Sequence, residues 1–364
     1  MNSIVHFIQQ YPFLTIIISF IIGKLFMPVA IKIAKKHNFL VKPNKRTSHK
    51  GLIPYTGGLD IFVSFFLTMI LFSYEIVAQT QFIILGTLTI FFIGFIDDLI
   101  TLKPMAKLSS EIIAGIFLII IANIRISHFH GILGINELPL IMSYLFSLFT
   151  FIVIVNALNL IDGVDGLASG LGIIYNLFFG IYFNLSGYLY LALAAYTLAG
   201  SLIVFFIYNV FGKKNKIFMG DTGALFLGFM ITFFVFEFCE INAYHKVPEA
   251  YHMSAAPAVA ICLIIVPLFD TFRVMLTRIK KGFSPFKADK NHIHHLLLKI
   301  GFSHRQVTLI LLTSTIFFIF LALIGRNWNN LLLIFIALLI ASSLTYYLWR
   351  VINKKMQRKT IVNI

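Results

Sequence analysis

Apolar runs of about 17 to 25 residues recur along the chain, separated by short polar loops, and each is long enough to cross the ~30 Å hydrocarbon core of a bilayer. With 59% hydrophobic residues among 364 and a mean hydropathy of +0.92, the chain carries more apolar surface than one soluble core can bury. In lipid each unpaired backbone amide costs several kcal/mol, so only helices or a closed barrel can span. Continuous apolar stretches, rather than strands of alternating polarity, exclude the barrel. The expected fold is therefore an all-α polytopic integral membrane protein. Its eleven spans are residues 11–33, 57–77, 80–96, 109–126, 139–158, 167–185, 187–209, 222–240, 256–276, 306–325 and 328–350. Residues 1–364 read as one transmembrane domain.

Twenty-five of the 29 lysines and arginines fall in alternate loops and the C-terminal tail. Arg125, Lys246 and Arg326 fall on the other side, and Lys24 inside the first span. The positive-inside bias then places the N-terminus outside and the C-terminus in the cytoplasm. Most of the +15 net charge is this topological bias, so it gives no reason to expect nucleic acid. A lysine-rich membrane face does attract anionic substrates and lipid headgroups. No basic segment precedes the first apolar run, so no cleavable signal peptide is expected. Cys239 and Cys262 lack the spacing of a disulfide framework or a thiolate metal site.

Only 12% of residues are charged, which makes an acid at the end of an apolar run informative. Asp97, Asp98, Asp162, Asp165 and Asp221 all occupy such ends, and in this topology every aspartate belongs to the cytoplasmic side, as does Glu111. Carboxylates can hold Mg2+, and neighbouring lysines and histidines can neutralise phosphate, which is the combination a nucleotide diphosphate requires.

Loops 34–56, 97–108, 156–166, 210–221 and 277–305 make up the candidate active site. In the first, Gly57-Gly58 follows a basic segment containing Lys50 and permits close backbone approach as the next span begins. In the second, the adjacent carboxylates Asp97 and Asp98 repel, a conflict relieved by a cation or a raised pKa, with Lys103 and Lys107 following. In the third, Asn156, Asn159, Asp162 and Asp165 recur at spacing three, which on a continued helix would form one polar stripe. Asp221, flanked by Gly220 and Gly223, reads alone as an N-cap, and beside the other acidic helix ends as a metal ligand. The last loop carries His292, His294 and His295, whose spacing lacks the cysteine or glutamate that would complete a zinc site. Pro267 should kink the ninth span, and Asp270 with Arg273 should form a structural pair at i, i+3.

Together, residues 54–58, Asp97-Asp98, residues 156–166, Gly220-Asp221 and residues 289–295 resemble the polyprenyl-phosphate N-acetylhexosamine-1-phosphate transferase superfamily, glycosyltransferase family 4, over nearly the whole chain. The resemblance implies transfer of a sugar 1-phosphate, most simply GlcNAc-1-phosphate, from a UDP-sugar to undecaprenyl phosphate with release of UMP. It implies Mg2+, with Mn2+ as the alternative, a multi-pass location in the bacterial inner membrane, contact with membrane lipid, a homodimer, and a start to O-antigen or teichoic-acid-type polymers. Thr101, where the muramoyl-pentapeptide branch has lysine, and His292-Ile293-His294-His295, where it has three consecutive histidines, set this chain apart from that branch. By matching position, Asn159 and Asp221 become metal ligands. Asp97 or Asp98 accepts the remaining proton of the lipid phosphate or holds that phosphate beside the metal. Asp162 joins this catalytic set, and Asn156 and Asp165 bind substrate. Lys50 and Lys107 contact phosphates, and the three histidines contact the diphosphate or uridine. Direct attack by the lipid phosphate and a phospho-enzyme route both remain open. Rival readings are the same reaction with UDP-FucNAc, UDP-QuiNAc or UDP-MurNAc-pentapeptide, and an ion-coupled transporter, whose acids would lie near midplane on broken helices.

Overall fold

The computed structural model describes residues 2–41, 52–72, 81–284 and 291–362. It is built almost entirely of helices, in chain order α1 (Asn2–Gln10), α2 (Leu14–Lys36), α3 (Gly57–Phe72), α4 (Gln81–Ile100), α5 (Pro104–Ile116, continued by a π turn Phe117–Ile121), α6 (Leu140–Ile161), α7 (Leu167–Leu185), α8 (Leu189–Phe211) and α9 (Gly220–Ala243). These are followed by α10 (Ala256–Leu263), α11 (Ile265–Lys280), α12 (Ile293–Ile300), α13 (His304–Ile324) and α14 (Asn330–Val362). Two short antiparallel hairpins complete the chain, β1 (Leu40–Val41) with β2 (Ile53–Pro54) and β3 (His128–Ile132) with β4 (Ile135–Glu137).

Each of the eleven expected spans has a helical counterpart. Among the described residues nine helices are long and apolar enough to cross a membrane. The pair α10 and α11, bent by 78°, makes ten if it is counted as one span. Helix α3, the counterpart of the expected span 57–77, is a shorter apolar helix described over 16 residues, with the expected continuation beyond 72 lying outside the described residues, so the described residues carry nine or ten spans rather than the eleven expected. The chain is a polytopic membrane protein.

The bend in the ninth span is sharper than a kink. Pro267 crowds the carbonyl four residues before it, that of Leu263, which is the last residue of α10, so the helix turns a corner at Ile264.

Helix α9 is the axis of the bundle: 89% of its most apolar window is buried, against 33% for α2, α4 and α6. Its all-round apolar surface suits a position enclosed by other helices. Small residues let neighbours approach it closely. Gly58 N donates to Met219 O at 2.9 Å, and a Cβ on Gly58 would overlap the backbone of Gly223. The close approach expected of Gly57-Gly58 is thus made to the start of α9, which carries Asp221.

Candidate active site

The C-terminal ends of α4, α6 and α8 and the N-terminal ends of α9 and α13 come together at one end of the bundle. At that end lies a cleft of about 1430 Å3. Asp97, Asp98, Asn159, Asp162, Asp165 and Asp221 line it, together with His295. The acids expected to cluster are therefore gathered on one cleft. Lys50 lies outside the described residues.

At the floor, four residues from four helices meet. Lys107 Nζ is 2.6 Å from Asp221 Oδ1 and 2.9 Å from Asp97 Oδ2, with Asn159 Oδ1 at 3.5 Å. Asn159 Nδ2 also donates to Asp221 Oδ1, at 2.5 Å. Asp97, 7% exposed, accepts a further bond from Leu102 N at 2.7 Å through Oδ1. Lys107, expected to meet phosphate, is thus bound to two carboxylates.

Asp98 faces the other way. Its Oδ1 accepts from Asp221 N at 2.8 Å, and its Oδ2 from Thr222 N at 3.0 Å and Thr222 Oγ1 at 2.6 Å. These are the orphan donors of the first turn of α9, so the cap of that helix comes from α4. Read alone, Asp221 was an N-cap; it is instead a first-turn residue of a helix capped by Asp98, and its own side chain is turned to the floor. Gly220 makes this possible: its φ is +71°, and a Cβ there would lie 2.5 Å from Asp98 Oδ2 and 2.8 Å from Tyr55 O.

The polar stripe of the third loop is only half formed. Helix α6 ends at Ile161, and Asp162 leaves helical geometry with φ −74° and ψ 40°, so only Asn156 and Asn159 share a helix face. Gly163 and Gly166 favour the turn that ends the helix. Asp162 lines the cleft half-buried. Burial first, then the charges of Asp221, Asp98 and Asp165, holds its carboxyl well above the usual range. Asp165 is clamped by Lys216 Nζ at 2.6 Å and faces His304 Nδ1 at 3.4 Å. Asn156 does not reach the cleft. Its Nδ2 donates to Glu111 Oε2 at 2.6 Å, behind the floor.

Of the three histidines, only His295 lines the cleft. His292 is buried and bound through Nδ1 to Asp270 Oδ2 at 2.9 Å. Asp270 Oδ1 accepts from Ile293 N at 3.0 Å and from Arg273 at 2.7 Å. The pair read as structural is therefore the anchor of the histidine segment. His294 is 1% exposed and stacks 5.7 Å from His292; burial, with His295 next, pushes it down to about 3. A side chain on Gly163 would collide with its Nε2.

Four residues escaped the sequence reading as site members. Lys216, His304 and Arg305 line the cleft, yet the two cations had been counted only as loop charge. Glu111 had been counted only as an acid of this face. Its position four residues after Lys107 on one helix was the available signal.

The floor suits a hard divalent cation, since two carboxylates and an amide oxygen already converge on one positive atom. Among the described residues no three His, Cys, Asp or Glu side chains are grouped to hold an ion. Asp97, Asp221 and Asn159 supply three oxygens, and water would fill the remaining positions of an ion held there before substrate binds.

The model of glycosyl transferase family 4 matches residues 80–238, which contain every floor residue. Undecaprenyl-phosphate alpha-N-acetylglucosaminyl 1-phosphate transferase of Escherichia coli K12 is 30% identical over 290 residues, 79% of this chain and 76% of that protein. The Yersinia pestis protein of the same name is 29% identical, with 91% of each chain covered. A Bacillus subtilis protein, probable undecaprenyl-phosphate N-acetylglucosaminyl 1-phosphate transferase, is 28% identical over 89% of each.

Proposed function

The chain belongs to glycosyl transferase family 4, and on that premise we propose that it transfers N-acetylglucosamine 1-phosphate from UDP-N-acetylglucosamine to undecaprenyl phosphate. An oxygen of the lipid phosphate bonds to the sugar-bearing phosphorus, the bond from that phosphorus to the bridging oxygen breaks, and UMP leaves with the bridging oxygen. The observation that carries the reading is the convergence of Asp97, Asp221 and Asn159 on one cation at the floor of an open cleft. The names of the relatives supply the donor sugar and the lipid acceptor.

Asp221, Asn159 and Asp97 would hold Mg2+, whose contribution is to neutralise the donor diphosphate. Asp98 positions Asp221 by capping α9, and Asp97 is then the carboxylate of the pair that faces the reacting phosphates. Asp162, whose carboxyl is held above the usual range by burial and by the charges of Asp221, Asp98 and Asp165, faces substrate from the cleft wall. Lys216, His304 and Arg305 bind the nucleotide half of the donor at the cleft wall, and His295 closes the other side. The positive-inside bias of the basic loops supports a cytoplasmic orientation for this face in a bacterial inner membrane, on the side where UDP-sugars are made, and the product would begin a surface polymer.

Purified protein given undecaprenyl phosphate, Mg2+ and a panel of UDP-sugars should release UMP with UDP-N-acetylglucosamine. Asp221→Asn should slow this at least ~100-fold, the scale of losing a charge-stabilising group. Absence of UMP with every UDP-N-acetylhexosamine overturns the function. Full activity of Asp221→Asn overturns the site.

A further inference from the structure

The Lys107 ammonium stands where the proposed divalent ion belongs. It lies 2.6 Å from Asp221 Oδ1, 2.9 Å from Asp97 Oδ2 and 3.5 Å from Asn159 Oδ1. A second cation cannot settle among those oxygens while the ammonium stays, because like charges at such range repel strongly away from bulk water. Ion binding therefore requires the lysine to move.

One turn along α5, at the i, i+4 spacing that puts two side chains on one face, is Glu111. It is 1% exposed. Its Oε2 accepts from Asn156 Nδ2 at 2.6 Å, while Oε1 has no hydrogen-bond partner among the described residues. A buried carboxylate oxygen left unpaired is costly and calls for an explanation. Its position beside a lysine that must vacate its place supplies one.

We infer that Lys107 is a tethered counter-ion that the divalent ion displaces, and that Glu111 is the positioning residue whose free oxygen receives the displaced ammonium. The exchange leaves no charge uncompensated: the divalent ion takes over Asp97 and Asp221, and the ammonium takes over Glu111. Asn156 holds the Glu111 carboxylate in place for it. The inference rests on the divalent ion of the proposed function.

Mn2+ binding to the full-length protein in detergent, without donor or acceptor and followed by electron paramagnetic resonance, tests it. Lys107→Gln, which removes the competitor, should bind Mn2+ about tenfold tighter than the unaltered protein, and Glu111→Gln about fivefold weaker, within the usual range of coupling between sites. Glu111→Asp should stay near the unaltered protein. Because the two residues act on each other, the Glu111→Gln effect should vanish in the double variant with Lys107→Gln. A Lys107→Gln affinity no tighter than the starting value, or a Glu111→Gln effect that survives in the double variant, overturns the inference. Should Lys107→Gln fail to fold, equal affinities in the unaltered protein, Glu111→Asp and Glu111→Gln overturn it alone. No Mn2+ binding in the unaltered protein, or undiminished binding in Asp221→Asn, overturns the site's cation and the inference with it. Failure confined to the Lys107 and Glu111 variants leaves the proposed function standing.

Discussion

Replacing Asp98 by asparagine keeps its shape and removes its capacity to accept on both sides. Three donors converge on its two oxygens: Asp221 N, Thr222 N and Thr222 Oγ1. An asparagine presents one oxygen and one NH2, so a backbone N–H at the start of α9 must face another donor. Thr222 is only 2% exposed, which denies that group water as a substitute. A buried unsatisfied donor costs on the order of 1–3 kcal/mol. Loss of the negative charge at a helix N-terminus adds about 0.3–1 kcal/mol. If the whole of that falls on the placement of Asp221, the rate of UMP release drops ~10- to ~1,000-fold. The assay pairs UMP release with Mn2+ affinity and the thermal midpoint, all three of which should fall together, while the shape of the pH profile is kept. A variant with unaltered rate and midpoint refutes the capping argument. One that changes only the pH profile assigns Asp98 to proton transfer instead.

Gly58→Ala drives a methyl group into the backbone of Gly223, which cannot rotate away as a side chain could. The thermal midpoint in detergent should drop in line with about 1–3 kcal/mol of overpacking. His294, depressed to about 3, binds fewer protons folded than unfolded between that value and the usual 6.5. Its contribution to stability is therefore complete above about pH 6.5 and is lost as pH falls toward 3. The midpoint should drop between pH 7.5 and 5.5, and drop less in His294→Gln. Lys216→Met removes one charge-assisted contact, about 1.4 kcal/mol, and should raise KM for the UDP-sugar ~10-fold with little change in kcat. An effect on kcat alone would move Lys216 out of the nucleotide wall.

The aspartates of the cleft were legible one by one because an acid ending an apolar run stands out against its neighbours, whatever the helices do in space. What each one touches was not. Asp97 and Asp98 are adjacent in sequence, yet one turns to Lys107 and the other to the first turn of α9, a choice made by the orientation of α4 against two other helices. His292, His294 and His295 read as three equal donors, but only His295 lines the cleft, because Asp270 from α11 holds His292 inward.

The amino-acid sequence alone determined the membrane setting, the helices and the end at which the acids gather, since hydrophobic length and loop charge act locally and need no knowledge of neighbours. Only the tertiary structure decided that Lys107 bridges Asp97 and Asp221, that Asp98 caps a helix begun 122 residues later at Gly220, and that Glu111 keeps, among the described residues, an unpaired oxygen behind the floor. Those are relations between residues remote in sequence, and they exist only once packing around α9 has set helix directions, depths and rotations.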